Sequence, residues 1–113
     1  MTPQANDADI ANIPVEHGDL VIMATDGLWD NVFDEEIVAL LEVYSVLAGT
    51  GDFDAQALQA IVEDLCAMAV LRGKDEKFMT PFAKEAFKAF YRFAGGKPDD
   101  VTVIGGVVSP SLE

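Results

Sequence analysis

Two apolar runs rich in β-branched residues set the frame for this chain. "LVIMAT" occupies 20–25 and "VTVIGGVV" occupies 101–108. A continuous apolar run of strand length reads as a strand covered on both faces, because a strand with one wet face alternates. A shorter segment, "IANIPVE" (10–16), reads as a further strand, with Pro14 placing it at an edge or an end. "HGD" (17–19) is a turn, and "DGLWDNV" after the first run reads as a loop.

Between the two runs the period changes from strand-like to helical. In 34–48, Ile37, Leu40, Leu41, Tyr44 and Leu47 share one face, and Asp34, Glu35 and Glu36 stand where the N-terminal dipole favours negative charge. "GTGD" (49–52) ends that helix. A second starts near Asp54 with a stripe of Leu58, Ile61, Val62, Leu65, Met68 and Ala69, and "RGKDEK" (72–77) reads as a charged linker. Thr80 followed by Pro81 is an N-cap with proline at the first helical position. The third helix carries Phe82, Ala86, Phe90 and, at its far end, Phe93. "GGKPDD" (95–100) is a loop, and Gly105 and Gly106 weaken the final strand or mark a bulge.

The predicted order is β-β-α-α-α-β, an α+β arrangement. Three strands make a thin sheet with open edges. The buried-type runs therefore call for strands that these residues do not supply, either upstream or from another chain.

Length and charge narrow the function classes. With 113 residues there is room for one small domain. Asp and Glu number 20 against 7 Lys and Arg, for a net charge of −13. That balance opposes a nucleic-acid surface, which needs clustered cations facing phosphate. It suits cations or basic partners, or simply solubility. No run approaches the ~20 apolar residues of a membrane span. "MTPQANDADI" has neither the basic and apolar regions of a secretory signal nor the Arg-rich character of a transit peptide. A single cysteine, Cys66, excludes an internal disulfide and sits in a helix stripe as a core thiol.

The acids at the strand ends carry the chemistry. Asp26 follows the first run and precedes Gly27, and Asp30 comes four residues later. Asp99 and Asp100 open the last run. If the two strands are neighbours, Asp26 and Asp99 meet at one edge although 73 positions separate them. Carboxylates crowded without Lys or Arg repel one another unless a hard divalent cation sits among them, and Mg²⁺ or Mn²⁺ takes oxygen ligands. The plain alternative is that Asp-Gly and Asp-Asp are ordinary turn acids. Ser45, Ser109 and Ser111 have no histidine partner in pattern, and His17 reads as a surface or capping residue, so a Ser-His-Asp hydrolase is not indicated. No P-loop or dinucleotide-binding glycine pattern is present. Trp29 and the Phe-rich third helix read as core, with "FKAFYRF" (87–93) open to a second reading as a partner-binding face.

"GDLVIMATDGLWDN" resembles a signature of the metal-dependent Ser/Thr protein phosphatases of type 2C. "GGKPDDVTVI" is similar to the last motif of that family, and "MTPFAKEAF" (79–87) resembles its mitochondrial-type branch. The resemblance covers about 10–108. It implies two antiparallel sheets packed face to face with helices outside, and residues 10–109 as the C-terminal portion of that sandwich, between a flexible start at 1–9 and a tail at 110–113. It implies a centre of two or more Mn²⁺ or Mg²⁺ ions, with Asp26 and Asp99 as metal ligands and Asp30 at a further, weaker metal site. Gly27 and Asp100 would support these ligands without binding metal themselves. It implies hydrolysis of phosphoserine and phosphothreonine in phosphoproteins by a metal-activated water.

The early acids of the family and its phosphate-binding arginine have no counterpart here; Arg72 and Arg92 lie outside any motif. The expectation is therefore half of an active site, little or no activity from these residues alone, and a missing N-terminal half as partner. The alternative is a truncated, non-catalytic type 2C-like interaction module, a pseudophosphatase. An intracellular location, mitochondrial by the branch resemblance, completes the expectation.

Overall fold

A computed structural model describes residues 8–49 and 53–110. The predicted start at 1–9 and tail at 110–113 therefore fall largely outside the described residues, as do 50–52 of the expected helix break. The order is β1 (Leu20–Ala24), α1 (Asp26–Trp29), α2 (Asp34–Ala48), α3 (Ala55–Lys74), α4 (Pro81–Lys88) and β2 (Val103–Val107). The α+β class stands. β1 and β2 pair antiparallel from Leu20 opposite Val107 to Ala24 opposite Val103. The register is unbroken, so Gly105 and Gly106 mark no bulge.

Two elements of the predicted order differ. Residues 10–16 form no strand: Ile10 and Ile13 are 88% and 77% exposed, and among the described residues no strand lies alongside to pair with this segment. Ahead of β1, Gly18 N–H donates to Val108 O at 2.9 Å and Val108 N–H to Asp19 O at 2.8 Å. The "DGLW" segment is a helical turn, because Asp30 N–H donates to Asp26 O at 2.8 Å and Val32 N–H to Leu28 O at 3.0 Å.

The core forms where α1, α2 and α3 meet the inner face of the sheet. Leu28, Val32, Ile37, Ile61, Leu65 and Ala69 are buried together, with Ile22, Ala24, Val101 and Val103 packed against them. The i, i+4, i+8 spacing of Ile61, Leu65 and Ala69 gives α3 its buried stripe. Leu47, expected on the α2 stripe, lies past the end of this contact and is 76% exposed. Among the described residues the sheet is covered on one face only, with Val21, Met23 and Ile104 outward.

Helix ends follow their capping chemistry. Asp54 accepts from Ala57 N–H at 2.7 Å, and Thr80 Oγ1 from Ala83 N–H at 3.2 Å. The charged segment 72–77 is not a linker throughout, since α3 runs on to Lys74. α4 stops at Lys88, short of Phe90 and Phe93, because Phe90 takes a left-handed φ of 68°.

Arg72 fastens α3 to α2. Its guanidinium donates to both oxygens of Glu36, at 3.0 and 2.6 Å, and lies 3.8 Å from the centre of the Phe78 ring. Burial would raise the Glu36 carboxyl; the Arg72 hydrogen bonds, the Phe33 N–H and the Arg72 charge outweigh it and hold the group below its ordinary value. A depressed folded value means stability present above the unfolded glutamate value and lost as pH falls through the folded one. The urea midpoint of the unmodified chain should therefore fall more steeply below pH 4.5 than that of Glu36→Gln. Parallel pH profiles would rule this linkage out.

Candidate functional site

The end of β1 is sewn to the approach to β2 by Thr25. Its N–H donates to Thr102 O at 3.1 Å, while its hydroxyl donates to Asp100 O and accepts from Thr102 N–H, both at 3.1 Å. Thr25 spends its side chain across the sheet rather than on capping α1. Trp29 Nε1–H reaches back to Ala24 O at 3.2 Å, which ties the helical turn to the strand it leaves. Asp26 is thus presented, exposed, as the first residue of a turn fixed at both ends.

Gly27 explains the Asp-Gly pair in a way that turn chemistry does not. It is buried and has no positive φ. A Cβ there would stand 2.4 Å from Asp100 O and 2.9 Å from Val101 Cγ2. The glycine is needed because the 99–101 backbone lies directly against α1, and any side chain would push it away.

Asn31 is the second fastening. It is 1% exposed; its amide donates to Gly27 O and to Lys97 O, and its oxygen accepts from Lys97 N–H, each at 2.9 Å. One side chain thereby fixes α1 to the "GGKPDD" loop with every one of those contacts satisfied. The far side of that loop rests on the end of α3 and on the 75–80 segment that follows it. Gly95 N–H donates to Phe78 O at 2.9 Å, Gly96 N–H to Asp75 O at 2.7 Å, and the buried Thr80 hydroxyl to Gly95 O at 2.7 Å.

These contacts bring Asp26 and the Asp99–Asp100 pair to one end of the β1–β2 sheet, as the neighbouring strands require. Asp99 is exposed and its Oδ1 accepts from Asp100 N–H at 2.8 Å. Asp30 differs. Its Oδ2 lies 3.7 Å from Lys97 Nζ, so this carboxylate already faces a cation supplied by the same loop. Asp26 and Asp99 have no Lys or Arg ion pair among the described residues.

Exposed, unpaired carboxylates are the donor type that hard divalent cations take. No group of three or more His, Cys, Asp or Glu among the described residues is arranged to hold a metal. The two carboxylates at this sheet end are of the right chemical type and fall short of a complete donor set.

The sequence reading missed Asn31, Thr25 and the contact role of Gly27. The available signal was the polar Asn between Asp30 and the apolar Val32, at a position the helical turn faces inward.

Comparison with known proteins decides the family. The chain is 36% identical over 104 residues to "Probable protein phosphatase 2C 55" of Arabidopsis thaliana, covering 92% of this chain and 21% of that protein. It is 40% identical over 104 residues to "Protein phosphatase PTC7 homolog fig" of Drosophila willistoni, covering 90% of this chain and 31% of that one. The chain belongs to the type 2C phosphatase family. The X-ray structure of the photosystem II phosphatase PBCP superposes with a TM-score of 0.68 at 27% identity, covering 92% of this chain and 41% of that chain. No family model matches the chain. The chain spans about a fifth to a third of the length of these two curated type 2C relatives. Among the described residues no helix is long and apolar enough to cross a membrane.

Proposed function

We propose that residues 10–109 form the C-terminal portion of a type 2C phosphatase domain that hydrolyses phosphoserine and phosphothreonine in proteins. One observation carries this reading. Asp26 and Asp99 stand exposed at one sheet end, on backbone that Thr25, Gly27 and Asn31 hold in place.

Asp26 and Asp99 are the residues that would hold Mn²⁺ or Mg²⁺, completed by ligands from outside the described residues. The bound ions would supply charge neutralisation at the phosphoryl group and a water of lowered pKa. Asp100 contributes through its backbone: its carbonyl accepts the Thr25 hydroxyl and rests against Gly27, which fixes the position of Asp99 beside it. Asp30 takes a looser part, since occupancy of a further metal site there competes with Lys97. The resemblance of "MTPFAKEAF" to the mitochondrial-type branch carries a mitochondrial location into this proposal.

A second reading, a non-catalytic type 2C-like module, draws on two observations. The described residues complete no three-ligand group, and the Arg72 guanidinium is engaged by Glu36 and so offers no phosphate clamp. One experiment separates the two. The full polypeptide containing these residues is assayed on a phosphothreonine peptide with Mn²⁺, with Mg²⁺ and with chelator. Turnover that requires the metal supports the phosphatase; absence of turnover with either metal favours the module.

A further inference from the structure

The cations of this acidic chain are not scattered. All seven Lys and Arg fall within 72–97, a window that also holds Asp75, Glu76 and Glu85 and sums to +4 in a chain totalling −13; from outside it, Glu36 takes Arg72 and Asp30 faces Lys97. Lys88 and Arg92 alternate with large rings in the "FKAFYRF" segment that ends α4. These rings do not join the core. Phe87 is 67% exposed, Tyr91 70% and Phe90 96%. Phe93 is held edge-on by Phe82, with centroids 5.3 Å apart, and forms with Phe87, Arg92 and Ala94 an open apolar groove of about 440 Å³.

Phe90 adds a conformational observation. It ends α4 in the left-handed region, at φ 68°, with Tyr91 N–H donating to Ala86 O at 2.9 Å. That position favours glycine, and a bulky side chain there is a strained choice. The ring recovers nothing from packing within the chain, since it is almost wholly in solvent.

We propose that the 87–93 face of α4 is a docking surface for a short acidic, apolar-anchored segment of a partner protein. Arg92, and Lys88 in exchange for its exposed 3.2 Å pair with Glu85, would meet its carboxylates while the Phe87–Phe93 groove takes an apolar side chain. The acidic sign follows from Lys84, Lys88 and Arg92, which within 84–93 only Glu85 opposes. The shortness follows from the chain's total charge of −13, because a polyanion or an anionic bilayer extends past the patch onto a net-negative body. The surface lies outside the carboxylate site and stands whether or not the phosphatase reading holds.

The test is fluorescence anisotropy with the full chain and a labelled synthetic peptide of glutamates carrying two leucines one helical turn apart. The same peptide with lysine for glutamate, a single-stranded oligonucleotide and phosphatidylserine vesicles are the competitors. Binding of the acidic peptide alone is expected, weakening with salt and falling about tenfold or more in Lys88→Glu/Arg92→Glu. Phe90→Gly is the discriminating variant: it should raise the thermal midpoint by relieving the left-handed position, yet weaken the peptide. Three outcomes overturn the proposal: no binding of the acidic peptide, binding unchanged in the charge-reversed variant, or preference for the oligonucleotide or the vesicles.

Discussion

Asp26→Asn, in the full polypeptide, should lower metal-dependent turnover of a phosphopeptide by about a hundredfold or more, of order 3 kcal/mol in the transition state. The substitution keeps an oxygen in the same place and removes the charge. Asp26 is exposed, and its backbone is set by contacts its side chain does not make: Leu28 N–H to Thr25 O at 3.0 Å and Asp30 N–H to Asp26 O at 2.8 Å. The fold should therefore be unchanged within ~0.5 kcal/mol. The expected pattern is a raised Mn²⁺ requirement and reduced kcat with an unaltered urea midpoint. Asp99→Asn should behave alike, and Glu42→Gln on the exposed side of α2 should change neither. Full activity in both aspartate variants would remove the metal assignment. Loss of activity together with loss of fold would instead make Asp26 a structural residue.

Gly96→Ala should be strongly damaging. Its Cβ would stand 1.8 Å from Arg72 O and 2.5 Å from Gly73 Cα, backbone against backbone, with no flexible side chain to give way. Either the 95–100 loop lifts from α3 or the helix end unwinds, at a cost of about 3 kcal/mol or more. Lifting the loop also strains the Lys97 contacts to Asn31 and shifts Asp99, so the carboxylate site should loosen with the fold. Gly106→Ala is the internal control. Nothing lies within 4 Å of a Cβ there, and alanine in a strand is neutral or better than glycine by up to ~1 kcal/mol. Urea melts of the two variants side by side decide the matter; equal midpoints would mean that the loop does not rest on α3 as described.

Local signals carried much of this structure. The apolar run ending at Thr25, the three acids opening α2, the spacing of Ile61, Leu65 and Ala69, and the Thr80–Pro81 start of α4 all fold as their chemistry directs. The juxtaposition of Asp26 with the Asp99–Asp100 loop was legible too, given that 20–25 and 101–108 pair. What was not legible depends on distant partners. Whether 10–16 is a strand depends on a pairing edge, and composition says nothing about that. The roles of Gly27, Gly96 and Asn31 come from backbone at Asp100, at the end of α3 and at Lys97, the last 66 positions away from Asn31. Phe90 ends α4 through a φ that the helical spacing of Phe82, Ala86 and Phe90 conceals. Asp30 looked like Asp26 in sequence, and only the approach of Lys97 sets them apart.

The β1–β2 ladder has a kinetic consequence. Leu20 finds its partner at Val107, so the sheet closes a loop of nearly the whole described chain. Loop closure on that scale costs entropy before the pairing returns any of it. The helices, with their local contacts, are expected to form first and the ladder late. Asp26 and Asp99 therefore come together near the end of folding, after ribosomal synthesis has passed residue 107. A chain arrested before that point would carry well-formed helices and two carboxylates that have not yet met.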